Sequence, residues 1–424
     1  MENIVDKTYA EMMDAQDPLI NYRERFILPA DQIYMCGNSL GMQTKTSLVA
    51  IKSELEKRSS QWVEWFFSWS RHRLEYDYEI SNLLAPLIGW WYDEVIAMNS
   101  LTINLHLLLA NFYQPHWKKN KILIEPMIFP SDRYALDSHA SYRWYQDVLL
   151  TVNTHQKHGL LSTQDICHTI EQNHHHLCMI FLGAVNYYTW QSLDIATITQ
   201  CAKKHNIIIG FDCAHAIGNV SLNLHNHDVD FAVRCSYKYL NSGPGAVWGC
   251  FVHRKHHTCI PRLQGRRWVQ KDCRFEMKED FMPDYGIQRR KNSTSPIIPL
   301  AIHRNALQLF NEIWGMSPIA QKANILTWYF LLLLQHLKQS YGDHIFEIIT
   351  PIDPQHRWAQ VSLYIPKNGK VLFQYLKSHH IIWDRREPNL IRLTPTPLYT
   401  RYIDIYQTYI ALNQYYQDCV QNHL

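Results

Sequence analysis

Asp212 and Lys238 lie 26 residues apart, and each follows a short apolar run, NIIIGF before the aspartate and DFAVRCS before Tyr237-Lys238. Such β-branched runs bounded by polar residues read as buried parallel strands. A carboxylate and a lysine at the carboxyl ends of neighbouring strands fall in the crevice where open α/β sheets bind their ligands. Tyr237 and Tyr239 flank the lysine, and Asn-Ser-Gly-Pro-Gly follows it. An aromatic, desolvated setting lowers an amine's pKa and makes it a usable base. A capping aspartate or a solvated lysine would account for either residue alone. Together they meet the needs of pyridoxal phosphate (PLP), which takes a lysine as its tether and an acid that keeps its pyridine nitrogen protonated.

A phosphate needs backbone N–H groups at a helix N-terminus and nearby hydroxyls. Asn99-Ser100-Leu101-Thr102, followed by the apolar-periodic INLHLLL, offers such a start, with Ser100 or Thr102 as N-cap. Capping by itself is the competing explanation. The His174–His176 run could bind a metal, but it follows the polar IEQN and reads as a solvated loop, so no metal site is expected.

The elements that must position these residues alternate. Strands are expected over 122–125, 148–152, 179–182, 207–211, 231–233 and 246–252, with helices over 132–145, 163–173 and 194–205 between them. Alternating β and α segments imply a mostly parallel sheet with helices on both faces, an α/β fold. Residues 1–33 read as a helical arm, and 46–62 as an amphipathic helix. After Pro296 long helices over 300–315 and 319–340, the second capped near Gly342, precede short strands and helices over 370–379 and 401–418, an α+β pattern.

With 424 residues, 46% of them hydrophobic and 19% charged, the chain can bury a large two-domain core. A formal charge of +3 without a basic stripe argues against nucleic acid. No apolar run is long enough to span a membrane. The 10 cysteines form no CxxC pair and MENIVDKTYAEMMDAQD is no apolar leader, so reduced thiols in a cytoplasm are expected.

Six stretches, in order and spread along almost the whole chain, resemble the kynureninase family: YMCGNSLG (34–41), MNSLTINLHLLL (98–109), FPSDRYALDS (129–138), FDCAHAIGN (211–219), DFAVRCSYKYLNSGPG (230–245) and IRLTPTPLY (391–399). The resemblance implies a PLP-dependent hydrolase of the aspartate-aminotransferase-like, fold-type-I class. A large domain over 46–299 would hold a mostly parallel seven-stranded sheet, a smaller α+β domain would span 300–424, and an arm over 1–45 would pack with the latter. It further implies that Leu101 and Thr102 bind the cofactor phosphate and that Phe129 covers the ring, with Ser131 and Asp132 following it into the site. Asp212 would pair with the ring nitrogen, and His215 would hold the carboxylate or the ring's polar edge. Tyr237 would reach the phosphate and donate a proton, while Lys238 would tether the cofactor and later serve as base at the substrate Cα. Arg392 would grip the substrate α-carboxylate, a bidentate task lysine performs poorly, with Asn38 and Ser39 adding polar contacts. The implied reaction cleaves the Cβ–Cγ bond of L-kynurenine or 3-hydroxykynurenine, giving an anthranilate-type acid and L-alanine. It would run in a homodimer with active sites at the interface.

The chain departs from the family pattern at several places. Gly265-Arg266-Arg267-Trp268-Val269 stands where the family has a tryptophan that donates its indole N–H to the phosphate across the dimer interface, so Arg266 would replace that donor. A phosphate-touching Ser or Thr falls at Gly183, and Trp190 stands where glycine is usual. Thr294 takes the place of the family's Asn or Thr, with Asn292 the other candidate, and Trp-Ser-Arg-His (69–72) matches a family motif only loosely. These changes cluster on the substrate side and phosphate rim. An alternative reading therefore keeps the cofactor and changes the substrate to a modified kynurenine-like or other amino acid. A non-catalytic homologue is a third, but it would not need Lys238 and Asp212.

Overall fold

The computed structural model describes residues 4–66, 76–89, 91–265, 269–270, 276, 279–280 and 282–421. The chain begins with helix α1 (Lys7–Ala15) and the two-residue strand β1 (Ile33–Tyr34), then α2 (Ser47–Gln61) and α3 (Tyr76–Ile88). A β/α series follows: β2 (Val95–Ala97), α4 (Leu101–Phe112), β3 (Lys121–Ile124), α5 (Pro130–Tyr142), β4 (Leu149–Thr151), α6 (Thr163–Asn173), β5 (Leu177–Gly183), α7 (Ile195–Lys204), β6 (Ile208–Asp212), β7 (Phe231–Arg234) and β8 (Gly249–Val252). The remainder comprises α8 (Ile297–Glu312), α9 (Ser317–Tyr341), β9 (Glu347–Ile348), β10 (Val361–Tyr364), α10 (Gly369–Ser378), β11 (Ile381–Ile382), β12 (Asp384–Arg386), β13 (Leu390–Leu393) and α11 (Tyr402–Gln421).

Seven strands form one sheet in the order β2-β8-β7-β6-β5-β3-β4. The contacts from β4 through β7 are parallel, and β8 runs antiparallel to both β7 and β2. Every residue of β5 is buried, as a central parallel strand covered on both faces requires. One face packs on α3, α7 and α8, the other on α4 and α5, giving two apolar layers with the sheet between them. Strands β2, β3, β5, β6 and β7 all point their carboxyl ends to the same edge, and the chemistry-bearing residues gather there.

A four-stranded sheet, β12-β13-β10-β9, makes the second core with α9, α10 and α11. Helix α9 joins the two cores: Ile319 and Ala323 lie in the first, Leu326 to Leu337 in the second. The N-terminal segment is stitched to the second core. β1 pairs with β11, and the Asp14 carboxylate accepts from the N–H groups of Tyr402 (2.7 Å) and Ile403 (3.0 Å), capping α11.

Two expectations shift. The arm is helical only over Lys7–Ala15, with a 3₁₀ turn at Ile20–Arg25, because Pro18 disfavours the helical conformation of Asp17 and the Asp17 carboxylate accepts from Leu19 N–H instead (2.9 Å). The strand expected from 246 starts at Gly249, after the turns at Gly243 and Gly245, whose φ angles are 80° and 70°. Strand β2 and helix α3 were not anticipated. Trp-Ser-Arg-His (69–72) lies outside the described residues. No helix among the described residues is long and apolar enough to cross a membrane.

The freed oxygen of Asp17 pairs with Lys322 of α9 at 2.6 Å, and both side chains are buried. Breaking a buried pair from one side strands a charge, at a cost of about 3–5 kcal/mol. Lys322→Met is expected to lower the urea midpoint accordingly, and adding Asp17→Asn should recover much of the loss.

Candidate active site

Strand β6 delivers Asp212 at its last position, and the tight turn after it carries His215. Asp212 Oδ1 accepts from Ala214 N–H at 2.8 Å, and Asn219 donates to the His215 carbonyl at 3.1 Å, so both ends of the turn are fixed. The segment after β7 brings Lys238 in from the next strand, placing Nζ 2.7 Å from His215 Nε2. Burial lowers the Lys238 pKa, and the neighbouring Cys235 and Asp212 only partly oppose it. Burial, then the Lys238 charge, holds His215 well below the ordinary imidazole value. A neutral ring thus faces an amine with a reduced hold on its proton.

Burial also raises Asp212, against the opposing pull of Lys238. Asp132, near the start of α5, is raised well above the usual carboxylate range by burial and then by Asp212. Their mutual contact raises Asp132 and lowers Asp212, so the two carboxyls titrate as a pair.

The carboxyl ends of β2 and β3 lead into two helix N-termini that meet. Ser100 has extended N-cap backbone geometry but its side chain makes no capping bond, and the first turn of α4 carries no acid. Thr102 Oγ1 lies 3.1 Å from Ser131 Oγ of α5. Uncapped first-turn N–H groups and two hydroxyls fit an anion such as a phosphate. Leu101 is buried beneath them, while Phe129 is 41% exposed and meets Tyr187 edge-on at 5.2 Å. The Tyr237 ring packs on Trp248 at 5.1 Å, 5.9 Å from Lys238 Nζ, and burial keeps its phenol protonated.

Arg392 comes from β13 of the second core. Its guanidinium donates to the Tyr187 carbonyl (3.0 Å), to the Asp384 carboxylate directly across from it on β12, and to Ser39 Oγ (3.4 Å). Ser39 in turn donates to Asp384. Arg392 Nε, both polar atoms of the Asn38 amide, His215 Nδ1 and Asp132 Oδ1 are buried without a hydrogen-bond partner. Buried polar groups are rarely left unpaired, and a ligand with anionic and polar ends would satisfy them. The residues fit PLP and an amino-acid substrate.

Asn38, Ser39, Leu101, Thr102, Phe129, Ser131, Asp132, Asp212, His215, Tyr237, Lys238 and Arg392 are therefore all carried by the elements that converge on this edge. Thr294 is exposed ahead of α8. Arg266, Arg267 and Trp268 lie outside the described residues.

Asp384, Tyr187 and Glu125 were not anticipated. Glu125, the first residue after β3, reaches over to accept from Gly183 N–H at 3.2 Å. A Cβ at Gly183 would lie 2.8 Å from that same oxygen, so the room a 183 side chain would occupy is taken by the Glu125 carboxyl. Its place at a strand's carboxyl end was the available signal.

Glu94, His225 and His253 form a separate group with metal-ligand atoms close together. The two rings are stacked within 3° of parallel at 4.7 Å, and Glu94 already accepts from His225 Nδ1 (2.8 Å) and Arg254 N–H (2.7 Å). An ion cannot lie in the planes of two stacked rings, as imidazole ligation prefers, so the group serves as a brace between β2 and β8.

Two family models match, Aminotransferase class-V over residues 78–344 and Kynureninase C-terminal domain over 319–412. The kynureninase of Flavobacterium johnsoniae is 38% identical over 94% of this chain and 96% of that protein. The kynureninase of Xanthomonas oryzae pv. oryzae is 36% identical over 96% and 97%. Among solved structures, apo cysteine desulfurase from Thermococcus onnurineus NA1 has a TM-score of 0.77 at 15% identity, covering 94% of this chain and 98% of that one. A C-DES mutant with glycine covalently linked to its PLP cofactor has a TM-score of 0.73 at 16% identity, covering 93% and 99%. These two carry the fold likeness, a mostly parallel sheet with a smaller C-terminal part.

Burial pushes the Glu125 carboxyl up from 4.5 to about 8, against the donors Asn186 and Gly183. The folded state then binds this proton more tightly than the unfolded chain. The stability it contributes is fully present below about pH 4.5 and is lost as pH rises through about 8. Urea midpoints of the cofactor-free protein are expected to fall across that window, with Glu125→Gln flattening the fall. A decline just as steep in the glutamine variant would assign it to other groups.

Proposed function

The chain belongs to the kynureninase family, and from that premise we propose how its residues divide the work of cleaving kynurenine. It is a PLP-dependent hydrolase acting on the carbon–carbon bond of kynurenine, releasing an anthranilate-type acid and alanine. The observation that carries the assignment of roles is the 2.7 Å contact between Lys238 and His215 beside Asp212, with Arg392 brought up from the other core.

When bound, PLP supplies an electron sink for charge developing at the substrate Cα. The first turns of α4 and α5, with Thr102 and Ser131, hold its phosphate, and Leu101 supports the first of these turns. Phe129 covers one ring face. Asp212 keeps the pyridine nitrogen protonated, and the Asp132 contact favours the ionised form of Asp212. Lys238 tethers the cofactor and, once released, takes the Cα proton, a task suited to an amine whose pKa burial has lowered. His215 Nε2 orients that amine, and the protonated Tyr237 hydroxyl donates. Arg392 holds the α-carboxylate through Nε, with Asn38 and Ser39 beside it. Arg266 and Thr294 belong to the phosphate rim in this reading.

The same reading makes the protein a homodimer working in the cytoplasm, where its described cysteines, all unpaired, stay reduced. It keeps an arm, a large domain and a small domain, with α9 shared between the two domains. Dimerisation is supported by Leu48, Val49, Trp62 and Val63, 63–78% exposed on α2 and the turn after it. Such exposed apolar side chains at the two ends of α2 are surface that a second copy would cover.

Borohydride should fix the cofactor to the Lys238 peptide, and Lys238→Ala should leave a folded protein without it; label on another lysine would overturn the assignment. Asp212→Asn is expected to lower turnover of L-kynurenine by roughly a hundredfold, about 3 kcal/mol, with little change in stability. Light scattering at micromolar concentration should give a dimer, and a fully loaded monomer would refute it.

A further inference from the structure

Trp190 is strained, buried and central. Its φ is 63°, in the left-handed region where a bulky side chain is an outlier and glycine is at ease. Only 1% of it is exposed, so the indole packs among the side chains around it. It stands edge-to-face on His215 at 4.7 Å and on Tyr239 at 6.4 Å, with the Arg392 guanidinium 6.0 Å away. Its own N–H is buried without a partner, as is His215 Nδ1 on the ring it covers. Strain kept in a place like this points to a role in the site.

The loop that carries the indole is itself anchored. Asn186 Oδ1 accepts from Tyr188 N–H and Thr189 N–H, both at 2.9 Å, and Trp190 N–H donates to the Asn186 carbonyl at 2.9 Å. The indole is thus pressed onto His215 from a fixed turn.

We propose that Trp190 is a positioning residue that seals the His215–Lys238 pair from water and sets the imidazole plane so that Nε2 meets the lysine amine. Lys238 is faced by His215 and Asp212 from the β6 turn, Asp132 from α5, Cys235 and Tyr237 from its own segment, and Arg392 from β13. None of these is removed by changing Trp190, so what changes is access of water. Burial is the largest cause of the lowered Lys238 pKa. A hole left by the indole would border the rings of His215 and Tyr239, and the unpartnered His215 Nδ1 makes the surroundings polar enough to draw in water. Letting water in should therefore move the amine back toward the ordinary lysine value.

The inference rests on the assignment of Lys238 to the cofactor, but its test reads the amine itself in cofactor-free protein and so can fail separately. Trp190→Gly removes the indole and relieves the backbone, while Trp190→Phe keeps a smaller ring. Folding is checked by circular dichroism and melting temperature. The rate of Lys238 acylation, followed by mass spectrometry over a pH series, gives its apparent pKa. The glycine variant is expected to raise that pKa by about one unit, leaving roughly tenfold less free amine at pH 8, with a smaller shift for phenylalanine. Loaded with cofactor, the variants should lose kcat more than they raise KM. Should the glycine variant not fold, the phenylalanine variant decides alone. A Lys238 titration unchanged in a folded variant would reduce Trp190 to core packing and overturn the proposal.

Discussion

An amine buried 2.7 Å from an imidazole is the constraint on which the rest of this site depends. Two potential cations cannot stay charged side by side away from water, so one or both must give up a proton. Here both pKa values move down, and the three nearby acids, Glu125, Asp132 and Asp212, all move up. The cluster is poised between protonation states because no group in it is well solvated.

The sheet makes such a cluster possible. Parallel strands end at one edge, so residues distant in the chain arrive together without any loop having to find its way. The β5–β6 register sets Gly183 opposite Asp212, and Glu125 joins from β3 through Gly183 N–H. The second core then brings Arg392 to the same edge, already held by Asp384 and the Tyr187 carbonyl. Pre-placing an arginine in this way lowers the entropy its ligand must overcome.

How much of this was legible depended on the length scale of each signal. Asp212 and Lys238 could be read because each follows a short apolar run, and β6 and β7 match those runs closely. Helices α8 and α9 lie within a few residues of their expected limits, since a long periodic pattern outweighs its uncertain ends. Strand β2, three residues long, carried too little pattern to register. The roles of Arg392 and Phe129 came only through resemblance, for an arginine in a strand or a Phe before Pro says nothing by itself. Asp384 and Glu125 act across strands, and cross-strand partners are set by register, which a single sequence does not display. Trp190 was visible as an oddity, but its meaning lay in a backbone angle.

That angle has an evolutionary consequence. At φ 63° most side chains would bear a strain of about 1–3 kcal/mol, and a small one would recover little of it through packing. Tryptophan offsets the strain by filling the space, and glycine avoids it. Residues between them in size do neither, so the position has two good solutions separated by poor ones. The codons UGG and GGG differ by a single base, which lets a lineage pass between the two without ever encoding an intermediate.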